Sequence, residues 1–323
     1  MKLMRYVVIG DVGLDTILTL DEQASDRCRV VGDELRLAAG QKVPATASFQ
    51  SLGGNAANVA VALSELAAEV RLISHVGTDW SGRQIKSSLA EAGVDVASVA
   101  LSQHGSNHST VLLCEGERTI ISYHAVGPYR LDKLRRDDWL ILCSMGKEGA
   151  KALDRALALD LPLVYLPGTR QIQGSSTRNK RLIKRAELVV VNLEEAQTVL
   201  DTRAHDPVIL ARRFLDLGAR EAVVTNGRHG AVAAHSSGNW HGSVWHGAQR
   251  LDPTGAGDAF ASTYLWSRLS GATVPDALRA AAFNAGSVVA EYGSTTGLMK
   301  RTTLRRLLKT EVVTVRREGH ERA

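Results

Sequence analysis

Asp252-Pro253-Thr254-Gly255-Ala256-Gly257-Asp258-Ala259-Phe260 is the stretch from which the rest of the chain is read. Two glycines and an alanine directly precede an aspartate, and apolar residues follow (Ala259, Phe260, Ala261, Leu265). The pattern predicts a tight turn opening a buried helix over residues 259–269. The first N–H groups of a helix have no partner within it, so a turn here forms a site for an anion. Asp258 falls in the first turn and supports two readings. A negative side chain favours the positive end of a helix without any chemistry. Alternatively, Asp258 is a general base beside a phosphoryl group in flight, with Gly255, Ala256 and Gly257 supplying N–H groups to the developing charge.

Moving outward, Gly53-Gly54-Asn55-Ala56-Ala57-Asn58 leads into a second helical pattern (Val59, Leu63, Leu66). Further landmarks are Gly10 to Asp15, Gly77-Thr78-Asp79 through Gly82, Asn192-Leu193-Glu194-Glu195, and Thr225-Asn226-Gly227-Arg228-His229-Gly230. Short β-rich runs (residues 6–9, 70–76, 139–143, 163–166, 188–191 and 222–225) alternate with amphipathic helical stretches, which predicts βαβ units on a parallel sheet. Asp79 suits the N-cap of a helix carrying Ile85 and Leu89 that stops at Gly93. Residues 16–51 lack helical period. Residues 109–114 and 118–124 flank Glu115-Gly116-Glu117, a hairpin signal.

Taken in this order, the landmarks resemble the ribokinase-like, or PfkB, family of carbohydrate and nucleoside kinases from about residue 6 to about residue 297. The resemblance implies an α/β, ribokinase-like three-layer fold with a mostly parallel central sheet and a small β-lid. It implies one domain over 1–310, lid segments near 16–51 and 107–126, and a basic tail over 311–323. The implied reaction is ATP-dependent phosphorylation of a primary hydroxyl of a small sugar, with Asp258 as base. A nucleoside kinase on the same scaffold, or a sensor that binds sugar or nucleotide without turnover, are the alternatives. By the same resemblance Asp15, Gly54, Asn55 and Asn58 hold the acceptor. Asn192, Thr225, Gly227, Gly230 and Asn284 lie on the nucleotide side, and Glu195 holds Mg²⁺ through water. Asp252 and Thr254, with the loop over 293–297, bind K⁺ in many members. Asn192 also reads as an N-cap, Asn55 as an N-cap, Asn284 as a polar residue facing water, and Asp15 as part of a surface turn. Leu166-Pro167-Gly168-Thr169-Arg170 departs from the family, many of whose members carry Asp-Pro-Asn there. A pairing of two lids makes a homodimer in some relatives.

Composition bounds the rest. The chain has 323 residues, 44% of them hydrophobic, enough for a large core. No run approaches the roughly 20 apolar residues of a membrane span. Three scattered cysteines, Cys28, Cys114 and Cys143, suggest neither a disulfide framework nor a zinc site and fit a reduced cytoplasm. Net charge is +5, and the basic excess gathers in residues 178–185 and 300–322. No nucleic-acid-binding signature accompanies it, so a solvated helix face and a frayed tail are expected. His229, His235, His241 and His246 lack the spacing of a metal site. The pair Asp137-Asp138 reads as a loop before a strand at Trp139.

Overall fold

Five consecutive buried residues make β1 (Arg5–Ile9), the pattern of a strand covered on both faces of a parallel sheet. The computed structural model describes residues 4–318 apart from 22, 25, 147 and 248. After β1 come β2 (Gly13–Leu20), β3 (Cys28–Val31), β4 (Glu34–Leu37) and β5 (Ala45–Gly53), then α1 (Asn55–Glu65), β6 (Glu69–Gly77), α2 (Trp80–Glu91) and β7 (Asp95–Ser102). The hairpin β8 (Asn107–Cys114) and β9 (Glu117–Tyr123) follows. Next are β10 (Asp138–Leu142), α3 (Gly149–Leu157), β11 (Leu163–Tyr165), α4 (Thr169–Ile172), α5 (Ser176–Arg185), β12 (Ala186–Asn192), α6 (Leu193–Leu200), α7 (Pro207–Asp216) and β13 (Glu221–Thr225). The chain continues through β14 (Ala231–His235), β15 (Gly238–Gly242), α8 (Ala256–Leu269), α9 (Val274–Val288), α10 (Arg301–Thr310) and β16 (Val315–Glu318).

Ten strands form one sheet in the order β16-β15-β14-β13-β12-β11-β10-β1-β6-β7. From β7 to β13 every neighbouring pair is parallel, and β14, β15 and β16 add an antiparallel edge. Successive strand residues point to opposite faces. Val8 and Ile141 therefore join the helices α1, α2, α8 and α9 in one apolar layer. Val7, Ile9, Leu140 and Leu142 join α3, α5, α6 and α7 in the other. The fold is thus ribokinase-like in architecture: helices on both faces of a mostly parallel sheet, with a smaller sheet attached. That smaller sheet runs β5-β2-β8-β9, and the β3–β4 hairpin packs beside it. Glu115 and Gly116 both adopt positive φ (51° and 78°), the geometry that closes a two-residue hairpin between β8 and β9.

The order in which strands are added reverses at β1. This strand neighbours β6, which leads toward β7, and β10, which leads toward β13. In an open α/β sheet such a switch point leaves a crevice at the carboxyl ends of the strands, where ligands bind.

Two expectations need correction. Residues 311–318 are not a frayed tail: Val313 is buried and β16 pairs with β15, so the sheet extends past residue 310. Val313 anchors the entry to the strand, and within it Arg317 lies over the Trp240 ring of β15 while Arg316 pairs with Glu318. Residues 319–323 lie outside the described residues. Asp138 is not in a loop either. It opens β10 with a side chain fully removed from solvent, and Arg5 Nε and Nη2 donate to its two oxygens at 2.8 and 2.7 Å. The basic run over 178–185 is a helix face as expected: α5 buries Leu182 and Ile183, and Arg178 pairs with Asp154.

Candidate active site

Asp258 sits in the first turn of α8, behind Gly255, whose φ of +79° opens the helix. A Cβ at position 255 would stand 2.3 Å from the Ser294 carbonyl oxygen, so glycine is required both by the backbone angle and by the loop across from it. Gly257 is exposed, and a Cβ there would meet open space, leaving room for a large anion to approach the helix start. Ala256 N–H turns back to the Pro253 carbonyl at 3.3 Å, a long bond for which a phosphoryl oxygen could compete.

The two asparagines of the early glycine motif meet Asp258 from across the fold. Asn55 Nδ2 donates to Oδ1 at 2.8 Å and Asn58 Nδ2 donates to Oδ2 at 2.7 Å. Gly54 makes the approach geometrically feasible: its φ is +88°, and a Cβ would lie 2.5 Å from the Asp11 carbonyl oxygen. Burial pushes the Asp258 carboxyl pKa up, while the amides of Asn58 and Asn55 pull it back by stabilising the anion. Each carboxylate oxygen keeps a lone pair beyond the one its asparagine occupies. The carboxylate can therefore accept a proton from a hydroxyl brought up beside it.

Asp15 lies on β2, level with Ser109 of β8. Its carboxylate rests on the bare backbone of Gly53, where a Cβ would be 2.3 Å from Oδ1. Burial raises its pKa, opposed by the Ser109 hydrogen bond and the His108 charge. Asp15, Ile17, Ser51, Val111, Leu113 and Arg118 of the smaller sheet face Asp252, Thr254, Gly293 and Ser294 across a pocket of about 20 Å³. Arg118 Nη1 spans it to donate to Thr254 Oγ1 at 2.9 Å. Asp252 Oδ1 accepts from both Thr254 N–H (2.9 Å) and Thr254 Oγ1 (2.6 Å), and its Oδ2 accepts from Gly293 N–H at 3.2 Å.

Asn192 and Glu195 cap α6 reciprocally: Glu195 N–H donates to Asn192 Oδ1 at 2.8 Å and Asn192 N–H to Glu195 Oε2 at 2.9 Å. Glu195 Oε1 takes no part in this box. Burial raises the Glu195 pKa, the Asn192 bond opposes, and the charges of Asp258 and Glu194 add to the rise. Glu195 thus feels the carboxylate on α8. Asn192 and Thr225 pair as the last residues of β12 and β13, so both lie at the carboxyl edge of the sheet.

A description of the pfkB family carbohydrate kinases matches residues 25–301. The chain belongs to the PfkB carbohydrate kinase family. Its reaction class is therefore transfer of a phosphoryl group to an alcohol. An ATP-dependent ribose-1-phosphate kinase of Halopiger xanaduensis is 30% identical over 238 residues, covering 71% of this chain and 77% of that protein. A 5-dehydro-2-deoxygluconokinase of Clostridium beijerinckii is 23% identical over 286 residues, 80% of this chain and 84% of that one. Among solved structures, the Burkholderia thailandensis nucleoside kinase in complex with inosine shares the fold with a TM-score of 0.78. That likeness holds at 18% identity over 98% of this chain and 99% of the other.

In this PfkB kinase the reading of Asn284 as a polar residue facing water does not hold. Asn284 is fully buried in α9, with Nδ2 donating to Thr263 Oγ1 (2.7 Å) and Oδ1 accepting from Met299 N–H (2.8 Å). Its amide oxygen and one of its N–H groups are engaged in the core, so it does not face water. Gly227 opens a short 3₁₀ turn (Gly227–His229) after β13, and Gly230 closes it with a φ of +84°. Residues missed in the sequence are Arg118 and Ser144, which sit in no motif and reach the site only through tertiary contact; Ser294 lies in the 293–297 loop but was not singled out.

Proposed function

We propose that this PfkB kinase moves the γ-phosphoryl group of ATP to a primary hydroxyl of a small sugar, with Asp258 as general base. The observation that carries this reading is the Asp258 carboxylate, gripped on both oxygens at the start of α8 beside an exposed glycine. Asp15 accepts from acceptor hydroxyls inside the pocket. The α8 start receives the transferring phosphoryl group, and the ends of β12 and β13 (Asn192, Thr225), with the turn from Gly227 to Gly230, receive the rest of the nucleotide. Deprotonation is needed only as the oxygen bonds to phosphorus, so a carboxylate suffices as base.

Mg²⁺ when bound neutralises phosphate charge. The hard oxygens of Glu195 and Asn192 suit a cation that keeps most of its waters. Among the described residues no three His, Cys, Asp or Glu side chains converge in a cluster that could hold a metal ion. Asp252 and Thr254 would serve K⁺ by the same resemblance. Cys28, Cys114 and Cys143 are buried and form no disulfide, which fits a cytoplasmic enzyme. No helix among the described residues is long and apolar enough to cross a membrane.

A second reading, an acceptor bearing a carboxylate or phosphate, is favoured by Arg118. Its guanidinium enters the pocket and meets a hydroxyl there, Thr254 Oγ1. Guanidinium donors match planar or tetrahedral oxyanions. The named acceptors of two relatives, a sugar acid and a sugar phosphate, have this chemistry. One panel decides: ADP release from ATP–Mg²⁺ with ribose, fructose, adenosine, inosine, ribose 1-phosphate and 5-dehydro-2-deoxygluconate, with and without K⁺. A neutral sugar giving the highest kcat/KM supports the first reading, and an acidic one supports the second. Nucleosides leading the panel would replace both, and ATP binding without ADP release from any acceptor would leave a sensor.

The smaller sheet also offers β9 as an edge, exposed along its whole length with Ile120, Ile121 and Tyr123 uncovered. We propose that a second copy pairs there, since open apolar edges invite strand addition. Sedimentation equilibrium should show a dimer that Ile121→Lys weakens; a monomer at every concentration would remove the idea.

A further inference from the structure

Asn55 follows the glycine that caps α1, yet its side chain does not cap that helix. It bridges two other elements instead. Asn55 Oδ1 accepts from Ser144 N–H at 2.7 Å, just past the end of β10, while Nδ2 donates to Asp258 on α8. A backbone N–H can only donate, so it dictates which end of the carboxamide faces Ser144. The NH₂ group is then obliged to face Asp258, with no freedom to flip. Ser144 is itself held, because its carbonyl accepts from Asp11 N–H at 2.7 Å beside β1. Asn58 is tethered differently: its Oδ1 accepts from Ser294 Oγ at 2.8 Å, a hydroxyl that also lies 2.9 Å from the Leu52 carbonyl. One hydroxyl proton serves only one of those two acceptors at a time.

We infer that Asn55 is a positioning residue that aims the Asp258 carboxylate, rather than a ligand of the acceptor sugar. The inference rests on Asp258 being the base and deepens that reading. With one oxygen fixed by Asn55 and the other by Asn58, rotation of the carboxylate is blocked and its remaining lone pairs keep fixed directions. Asn55 has committed one lone pair of its carbonyl to Ser144 and one N–H to Asp258, so the lone pair and the N–H that remain point in directions set by those two bonds rather than by a sugar. The geometry also explains why two motifs about two hundred residues apart in sequence, joined by a bond spanning 203 positions, act as one unit.

The test compares wild type, Asn55→Ala, Asn55→Asp and Asp258→Asn, with the best acceptor of the panel and by ¹³C-carboxyl NMR titration of aspartate-labelled protein. Asp258→Asn identifies the Asp258 resonance. Asn55→Ala should lower kcat by roughly 10- to 100-fold, the range for a misaimed catalytic group, with acceptor KM within about twofold. Asn55→Asp keeps an acceptor for Ser144 N–H, so the scaffold stays intact, but sets a second carboxylate against the first. Its pKa should rise by about one unit or more, moving the acid limb of kcat/KM to higher pH. A rise in acceptor KM with kcat retained would make Asn55 a sugar ligand and overturn the inference. An Asp258 resonance that titrates alike in wild type and Asn55→Asp would overturn it too. Failure of the base assignment looks different: Asp258→Asn would keep its turnover while the resonance still responded to Asn55.

Discussion

Asp258→Asn is expected to lower kcat by ~10²- to 10⁴-fold, the range for removal of a general base, while ATP and acceptor affinities stay close to wild type. The substitution preserves shape and removes only the capacity to take a proton. It also changes the local bonding. Asn55 and Asn58 both present NH₂ groups to position 258, and an amide there can offer an oxygen to only one of them. The other pair becomes donor against donor, so part of the loss comes from misorientation. The wild-type pH profile carries a second signature. Because burial raises the Asp258 pKa, turnover should fall off, as pH drops, above the ordinary carboxylate range, and that acid limb should vanish in the variant. Steady-state ADP release against pH, with calorimetric ATP titrations, measures all of this. Turnover like that of wild type would remove Asp258 from the reaction.

Asp138→Ala is expected to cost about 3–5 kcal/mol of folding stability, the scale for breaking a buried ion pair from one side. Arg5 has a side chain only 3% exposed, and its guanidinium would be left with the Lys133 carbonyl at 3.2 Å in place of its buried counter-ion. Asp138 also accepts from Arg135 N–H at 2.6 Å, so the turn into β10 loses its anchor as well. Paired removal, Arg5→Met with Asp138→Leu, should recover much of the loss because no buried charge remains. Urea midpoints of wild type and the two variants measure this. Turnover per folded molecule should hold, because Arg5 and Asp138 open the parallel strands whose far ends carry the site. Loss of kcat at full folding would mean that the two ends of β1 are coupled.

These two aspartates mark what could be read in advance. Asp258 announces itself through the glycines before it and the apolar run after it, a local pattern whose helix forms where periodicity places it. Asp138 stands in Arg135-Arg136-Asp137-Asp138, which has every local mark of a solvated loop. Only Arg5, 133 positions away, makes it a core residue. The edge strand at residues 315–318 was hidden for a related reason: basic composition overshadowed a brief alternation of valines. The asparagines were legible as site residues but not in their role. A carboxamide donates equally well to a sugar or to a carboxylate, and which partner it meets depends on α8 packing against α1. Asn284 shows the converse, a helical asparagine whose two amide partners come from other parts of the chain and seal it in the core.

Half of the grip on Asp258 cannot be edited by point substitution at its source. The donor that orients Asn55 is main chain, so any residue except proline at position 144 still presents it. The donor that steadies Asn58 is the Ser294 hydroxyl, which a single exchange to alanine deletes. Exchanges small enough for the space against Gly168 can therefore pass through position 144 without disturbing the base, whereas position 294 is a dial. Replacements there would loosen one oxygen of the carboxylate and leave the other held, offering a graded route to slower variants of the same enzyme.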